Sequence, residues 1–250
     1  MSNPRDHSRH PARVPTSDAT DSASVPWSGR ELSPSGFETD TGATDPALLA
    51  ALTADDDTLM AAVVTGRFLV PIVAEPVEID DSGPLAADTH VDMALVTLTA
   101  PDGRRALPAF TGMHALTAWD PQARPSPVTA ARMAQAAIAE QCDVIVLDVA
   151  GAGRVLRPSM VWALAQQQAW APPASDPFVD ASVRRAVAVE ADVAAYELSD
   201  GPGGELIVEL TLRPGLTHDQ VQALATRLGE RLATDGEFRA RIDGLAFRLR

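Results

Sequence analysis

Few residues of this chain have the type and spacing that metal binding or catalysis by histidine requires. The five histidines are scattered along the sequence. His7 and His10 could form a metal pair, but they lie in a segment whose composition predicts disorder. His90 and His114 have no ligand partner at a suitable spacing, and His218 lies inside a helix-capping sequence. We therefore expect structural or solvent-facing histidines and no metal site.

Nucleophilic chemistry is also restricted. The single cysteine, Cys142, follows a predicted helix and precedes Asp143, so the local field disfavours a thiolate and we expect a buried, unreactive thiol. One cysteine permits neither an intramolecular disulfide nor a multi-cysteine metal site, which is typical of a reducing compartment. All 20 basic residues are arginines. Without lysine, a P-loop, a lysine Schiff base and the kinase lysine are excluded.

One glycine-rich turn follows an apolar run. Gly151-Ala152-Gly153 has the spacing of the first two glycines of a dinucleotide-binding turn. The position of the third glycine is occupied by Leu156, and the next helix begins only at Pro158. We therefore predict an ordinary turn and no cofactor.

Asp148 is the acidic residue with the least usual setting. It lies in the run 143–149, whose apolar residues are typical of a central strand buried on both faces. A carboxylate there needs a partner or an exposed edge. We expect an ion pair with Arg124, Arg154 or Arg157, and the alternative is a ligand-binding role.

The polar and aromatic residues around Asp148 suggest one candidate binding patch. Residues 101–173 contain six arginines and five acidic residues, so this stretch, unlike the rest of the chain, has no net negative charge. Large aromatic residues are rare, and two of them lie here near a cation, which together would make an apolar patch with a charge. The candidate patch is Phe110, Thr111, Trp119, Arg124 and Asp148. The alternative is that Phe110 and Trp119 only fill the core.

The composition and net charge limit the classes of partner that this protein is expected to bind. The formal net charge is -14 and the pI is about 4.6, which argues against nucleic acid and against anionic membrane surfaces. No stretch is long and apolar enough for a transmembrane helix, and the first residues lack the apolar segment of a signal peptide. With 46% hydrophobic residues a packed core is available. We expect a cytoplasmic protein.

The elements that must position the patch follow from local patterns. Residues 1–44 are rich in Pro, Ser, Thr, Asp and Gly and predict a disordered tail. Order is expected to begin at Asp45-Pro46, a helix N-cap followed by proline. The predicted elements are helices at 46–53 and 55–64, a strand at 68–74, an acidic loop at 76–90, a hairpin over 93–110, helices at 113–119 and 128–141, a strand at 143–149 and a helix at 158–168. They predict a mixed-sheet α/β domain over residues 45–168.

A second unit follows a linker at 169–177, where two prolines and small residues break both periodicities. Thr217 and Gln220 form a capping box that opens a helix. Strands are predicted at 183–189, 193–198, 205–213 and 245–249. The prediction for residues 178–250 is a smaller ββαβ-type α+β sandwich, so the fold class is α/β (α+β).

Several segments together carry a family resemblance. They are Arg-Phe-Leu-Val-Pro-Ile-Val at 67–73, Asp-Gly-Arg-Arg-Ala-Leu-Pro-Ala-Phe-Thr-Gly at 102–112, Ala-Trp-Asp-Pro at 118–121, Arg-Pro-Ser-Pro-Val at 124–128 and Ile-Val-Leu-Asp-Val-Ala-Gly at 145–151. In order and spacing, the stretch from about 45 to 168 resembles the N-terminal domain of the SseB family, named for an enhanced serine sensitivity protein. The C-terminal unit is only loosely similar to the second domain of such proteins. The resemblance implies an α/β domain of undefined molecular activity and transfers no catalytic residues.

Two functional hypotheses follow. Because no complete catalytic set is present, the first is a non-enzymatic binding or regulatory module that acts through a protein partner. The alternative is a sensor or enzyme for a small molecule, an anionic metabolite or amino acid, that uses a pocket near Phe110, Trp119, Arg124 and Asp148.

Overall fold

The computed structural model describes residues 36–75, 92–101, 103–151 and 153–250. His7, His10, His90, most of the predicted tail and the predicted acidic loop lie outside the described residues. Residues 40–74 and 93–250 form one compact unit. The bounds of the two domains remain predictions, and residues 45–168 and 178–250 are called the N-terminal and C-terminal lobes below.

The first two helices begin where their capping residues predict. In α1 (Pro46–Ala51), the Asp45 carboxylate accepts a hydrogen bond from the Ala47 N–H. In α2 (Asp56–Thr65), the Asp55 carboxylate accepts one from the Thr58 N–H at 2.8 Å. That backbone hydrogen bond also lowers the pKa of Asp55. Both predicted helix starts are confirmed.

The strands of the N-terminal lobe form two sheets. In the first, β1 (Arg67–Glu75) lies between β2 (Asp92–Leu95) and β5 (Arg124–Thr129), with β1 and β5 antiparallel. The second has the order β3 (Leu98–Thr99), β4 (Arg105–Ala109), β6 (Val144–Leu147), β7 (Arg154–Leu156). Its β4 and β6 strands are parallel, and its outer pairs are antiparallel. Of the hairpin predicted over 93–110, the β3–β4 pair forms, whereas the start of its predicted first strand is β2 and belongs to the first sheet.

Helices of the described part of the chain pack against one face of the second sheet. This face carries Leu107, Ile145 and Leu156, which are fully buried in one cluster with residues of α2, α4 (Ala130–Ala139) and α5 (Pro158–Ala165). Burying such side chains stabilises the fold by about 1.5–3 kcal/mol each. The third helix of this lobe, α3 (Met113–Trp119), has its predicted bounds.

The expectation that the run 143–149 is buried on both faces is wrong. Ile145 is fully buried, but Val144 and Val146 are only half-buried. Val146 pairs with Val155, so these valines share the face opposite the buried cluster. An apolar run shows that a strand is central, and β6 is central, but it does not show that both faces have neighbours.

The C-terminal lobe is an α+β sandwich. A 3-10 turn (Pro173–Ser175) leads into α6 (Pro177–Val187), followed by β8 (Val193–Asp200), β9 (Leu206–Leu212), α7 (His218–Ala233), α8 (Gly236–Arg241) and β10 (Leu245–Leu249). Strand β9 is central, antiparallel to β8 and parallel to β10. The predicted fold class is confirmed, and so is the capping box of α7.

The strand predicted at 183–189 is wrong: residues 183–187 are the end of α6, and residues 188–189 follow it. The missed signal is Asp176-Pro177, because the Asp176 carboxylate accepts a hydrogen bond from the Phe178 N–H and proline occupies the first helical position. Val179 and Val183 then lie on one buried helical face. β-branched residues raised the strand propensity of this segment, and the apolar face of the helix overrode it.

Glu190, which follows α6, links this helix to α7 through hydrogen bonds with two arginines of α7. Its carboxylate accepts hydrogen bonds from Arg227 at 2.7 Å and Arg231 at 2.9 Å. The hydrogen bond from Arg227 is the first cause of a pKa of Glu190 below its usual value. A pKa lowered by folding adds stability above the unfolded pKa, and this stability is lost as the pH falls through the folded value.

We expect Glu190→Gln to lower the free energy of unfolding at neutral pH, and this deficit to shrink as the pH falls below about 4.3, the ordinary pKa of glutamic acid. Urea unfolding of both proteins at steps from about pH 7 to about pH 3 measures the difference. Glu197→Gln is the matched control, because Glu197 is 71% exposed in its pair with Arg250 and should contribute little at any pH. A deficit for Glu190→Gln that stays constant with pH would contradict the assignment.

Candidate binding cleft

Asp148 and Thr111, two residues of the predicted patch, are in direct contact. Asp148 follows the end of β6 with φ +50° and is buried. Its carboxylate accepts hydrogen bonds from the Thr111 N–H at 2.9 Å and the Thr111 hydroxyl at 2.8 Å. Within the described part of the chain these are the hydrogen bonds to its side chain, so the expected arginine partner is replaced by a threonine. The pair ties together the ends of parallel strands β4 and β6.

Phe110 and Trp119 also meet, with ring centroids 5.3 Å apart. Phe110 is fully buried with Leu69 and Leu116, and Trp119 packs half-buried against this cluster. Arg124 lies exposed at the first position of β5, opposite Ile72. The structure thus brings together two pairs of the predicted patch, and Arg124 has no described hydrogen bond or ion pair to either. A ligand site at this patch remains a prediction.

A short segment that precedes α1 covers the Thr111 end of this region. The Arg67 guanidinium pairs with Asp40 at 2.7 Å and donates to the Ala43 carbonyl at 2.6 Å and to the Thr111 carbonyl at 3.0 Å. One arginine therefore holds the segment against the end of β4.

Three smaller expectations are settled locally. Cys142 is buried, and burial raises the pKa of its thiol, as predicted for an unreactive cysteine. The Gly151 N–H donates to the Asp148 carbonyl at 2.9 Å, which confirms an ordinary turn. His114 and His218 are exposed at their helix starts.

A large cleft lies elsewhere, where the two lobes meet. Its volume is about 930 Å³, at the upper end of the range of ligand clefts. Val144 and Val155 line it from the face of the second sheet opposite the buried cluster, and the turn Pro202-Gly203 lines it from the C-terminal lobe. Val155 is 42% exposed, so apolar surface is accessible here. None of the five residues of the predicted patch lines this cleft.

Arginines and aspartates link the walls of the cleft. Asp56, at the start of α2, accepts from Arg154 at 2.6 Å and from Arg157 at 2.8 Å. Arg157 also donates through Nε to Asp243 of the C-terminal lobe at 2.7 Å. Although burial opposes it, the hydrogen bonds to Asp56 and Asp243 raise the pKa of Arg157 above its usual value. The two guanidinium groups are thereby held in fixed positions beside the cleft.

Asp243 also caps α5 from a distant part of the chain. The N-cap residue of α5 is Arg157, whose own side chain makes no capping bond. The Asp243 carboxylate accepts from the Ser159 N–H at 2.8 Å and the Ser159 hydroxyl at 2.9 Å, and it is only 5% exposed. A carboxylate at the positive end of a helix is stabilising. The C-terminal lobe therefore completes a helix of the N-terminal lobe.

The turn beside this cap needs glycine. Gly204 has φ +84°, and a Cβ there would lie 2.3 Å from Nε of Arg157. Any other residue would have to displace the guanidinium from Asp243.

A second arginine, which belongs to the C-terminal lobe, contacts side chains of the N-terminal lobe. Arg241 of α8 lies between the rings of Trp162 and Phe178, at 5.1 and 4.9 Å from their centroids. It pairs with Asp176 at 2.8 Å and donates to the Gln168 side chain at 3.0 Å. Burial alone would lower the pKa of Arg241, but the hydrogen bonds to carboxylates outweigh burial and raise this pKa above its usual value. Arginines of both lobes thus fix the walls of the cleft relative to each other.

Sequence reasoning missed this network because its members are far apart in the chain. Arg154 and Asp56 are separated by 98 positions, and Ser159 and Asp243 by 84. Asp56 lies in the first turn of α2, where an acidic residue is already explained by the helix start. One signal was available: a helix that begins with Arg157-Pro158 has no capping side chain of its own, so a cap must come from elsewhere.

Asp243→Ala should lower the free energy of unfolding by roughly 2–4 kcal/mol, because it removes a helix cap and buried hydrogen bonds to a charged group. Glu197→Ala is the matched control, since its carboxylate is exposed and its loss should cost less than about 1 kcal/mol. Urea unfolding followed by circular dichroism measures both. Equal losses for the two variants would refute the role assigned to Asp243.

The described residues contain no group of three or more His, Cys, Asp or Glu side chains that could hold a metal ion. No helix in the same residues has the length and apolarity to cross a membrane. Every buried side-chain nitrogen or oxygen in the ranges covered by the structure has a hydrogen-bond partner.

Comparison with known proteins gives one result. The family model described as the SseB protein N-terminal domain matches residues 46–163. These bounds begin at α1 and end within α5, and they confirm the resemblance seen in the sequence. Searches of curated proteins and of solved structures found no match.

Proposed function

We propose that this chain, whose residues 46–163 match the family model of the SseB protein N-terminal domain, is a non-enzymatic binding or regulatory module that acts through protein contacts at the cleft. The observation that carries the proposal is the accessible apolar surface of Val155 inside a cleft with a charged rim. Apolar surface surrounded by polar groups is characteristic of protein interaction sites.

The ion pairs of the rim support the same function. Arg154 and Arg157 are held by Asp56, so a partner would meet guanidinium groups whose positions are already fixed. Fixed groups lose little conformational entropy on binding. The cleft is lined by both lobes, so a bound partner would also respond to any change between them, which suits a regulatory role.

The chain as a whole supports a protein partner. Its net charge of -14 disfavours nucleic acid and anionic membranes, and its single cysteine fits a cytoplasmic location. Both the partner and the location belong to the proposal.

A photo-crosslinking residue at position 155 tests the proposal. We expect Val155→p-benzoylphenylalanine to give a discrete crosslinked protein adduct in native lysate, identified by mass spectrometry. Position 189 is the matched control, because Val189 is an exposed valine outside the cleft. Adducts of the same masses from both positions, or none from position 155, would count against protein contacts at the cleft.

A second function is favoured by one observation, the convergence of Arg154 and Arg157 on a single carboxylate. The same arrangement suits the carboxylate of an amino acid or another anionic metabolite. In this function the chain is a small-molecule sensor.

Thermal unfolding with a panel of amino acids and dicarboxylates such as succinate tests the sensor. A ligand selective for the folded state should raise Tm, by an amount corresponding to about 2.7 kcal/mol at 100 times its Kd. We expect Arg154→Gln to abolish the shift and Arg124→Gln, in the patch predicted from the sequence, to retain it. Loss with Arg124→Gln alone would place the ligand at that patch, and no shift with any compound would remove the sensor function.

A further inference from the structure

The two lobes keep separate hydrophobic cores. In the described residues, one buried cluster contains residues between positions 48 and 165, the other contains residues between positions 179 and 238, and no residue belongs to both. Among the half-buried apolar side chains, Trp170 packs against the first cluster, and Ala174 and Phe178 pack against the second. The seam between the lobes is therefore not held by a shared apolar core.

Hydrogen bonds of charged groups join the lobes across this seam. Asp243 of the C-terminal lobe accepts from Arg157 and Ser159 of the N-terminal lobe. Arg241 of the C-terminal lobe donates to Gln168 at 3.0 Å. Water can replace each of these hydrogen bonds when the lobes part, whereas exposed apolar surface gains no such compensation. Relative motion of two lobes is the expected behaviour unless their interface is large and hydrophobic.

The chain crosses from one lobe to the other within a few residues. The Trp170 indole N–H donates to the Ser159 hydroxyl at 3.1 Å, which ties Trp170 to the N-terminal lobe. The Ala174 N–H donates to the Asp200 carboxylate at 2.9 Å, which ties Ala174 to the C-terminal lobe. Residues 171–173 are the only ones between these two anchors. Backbone changes at so few residues are sufficient for a hinge between two rigid bodies.

The two arginine–carboxylate contacts should open together. Arg241 is the last residue of α8, and Asp243 lies two positions further on. Ile242, between them, packs against the C-terminal core, so both side chains are fixed to that lobe. Their counterparts Ser159 and Trp162 both belong to α5. Because each side of the seam is one packed body, neither contact should break without the other.

We propose that the seam is a latch: the lobes exchange between this closed state and an open state in which Asp243 and Arg241 have left the N-terminal lobe together, by rotation about residues 171–173. Opening moves the turn Pro202-Gly203 and Asp243 away from the rest of the cleft lining. It also leaves Arg157 with one carboxylate acceptor in place of two. A molecule that binds one state more tightly than the other shifts the balance between them.

Native-state hydrogen exchange of the full chain, followed by NMR at stepped low urea concentrations, tests the latch. The Ser159 N–H donates across the seam to Asp243, whereas the N–H groups of Asp148 and Leu206 donate to acceptors within their own lobes. After correction for intrinsic rates, Ser159 should exchange at least about tenfold faster than Asp148 and Leu206. Its rate should rise with urea less steeply than theirs, because opening exposes the seam and leaves both cores folded.

Arg241→Gln tests whether the two contacts open together. Within the described residues no hydrogen bond joins Arg241 to Ser159, yet the variant should speed exchange at Ser159 by roughly tenfold or more, because it removes the other half of the latch. Arg250→Gln is the matched control and should leave this rate unchanged, since Arg250 forms its exposed pair with Glu197 inside the C-terminal lobe.

Three results would overturn the latch: exchange at Ser159 as slow as at Asp148 and Leu206, exchange at Ser159 that does not respond to urea, or an unchanged rate with Arg241→Gln. The first would mean that the lobes part only on global unfolding. The other two would mean that the first turn of α5 frays by itself. The latch needs no partner and goes beyond the proposed function, so these results leave that function standing, and failed crosslinking at position 155 leaves the latch standing.

Discussion

The arrangement of the two lobes depends on one buried carboxylate. The Asp243 carboxylate accepts hydrogen bonds from Nε of Arg157 and from the backbone N–H and the hydroxyl of Ser159. These three bonds compensate for the cost of removing a charge from water, and they complete the start of α5. Because the same arginine also holds Asp56, α2, α5 and the C-terminal lobe meet at a single guanidinium group. The cleft exists because this junction keeps its walls in place.

Two of the arginines that link the lobes, Arg157 and Arg241, make contacts that lysine could not make. Arg157 makes directed bonds to two carboxylates, and Arg241 makes two while lying between two aromatic rings. A lysine ammonium group has neither the planar face nor the spread of donors for these tasks. Arginine at these positions is thus a requirement of the lobe contacts, in addition to the limits that a lysine-free composition sets on chemistry.

Local patterns were sufficient for most of the fold. Caps such as Asp55 and the Thr217–Gln220 box located helix starts, and alternating residues located β9. Segment 183–189 was misjudged because its valines favour a strand locally, whereas burial of one helical face decides the outcome. The cleft could not be predicted, since it depends on how the two lobes pack and on pairs separated by 84 to 98 positions. The predicted patch drew attention to Asp148, whose partner is a hydroxyl and a backbone N–H that no charge pattern indicates.

The capping of α5 has a consequence for biosynthesis. Asp243 is 84 positions beyond Ser159, so the ribosome releases the start of α5 long before the carboxylate that completes it. At about 5–20 residues per second the delay is roughly 4–17 s. During that interval α5, the last helix of the N-terminal lobe, has an unsatisfied first turn, and the Arg157 guanidinium lacks one of its two acceptors. The N-terminal lobe therefore reaches its final form only after the C-terminal lobe has been synthesised.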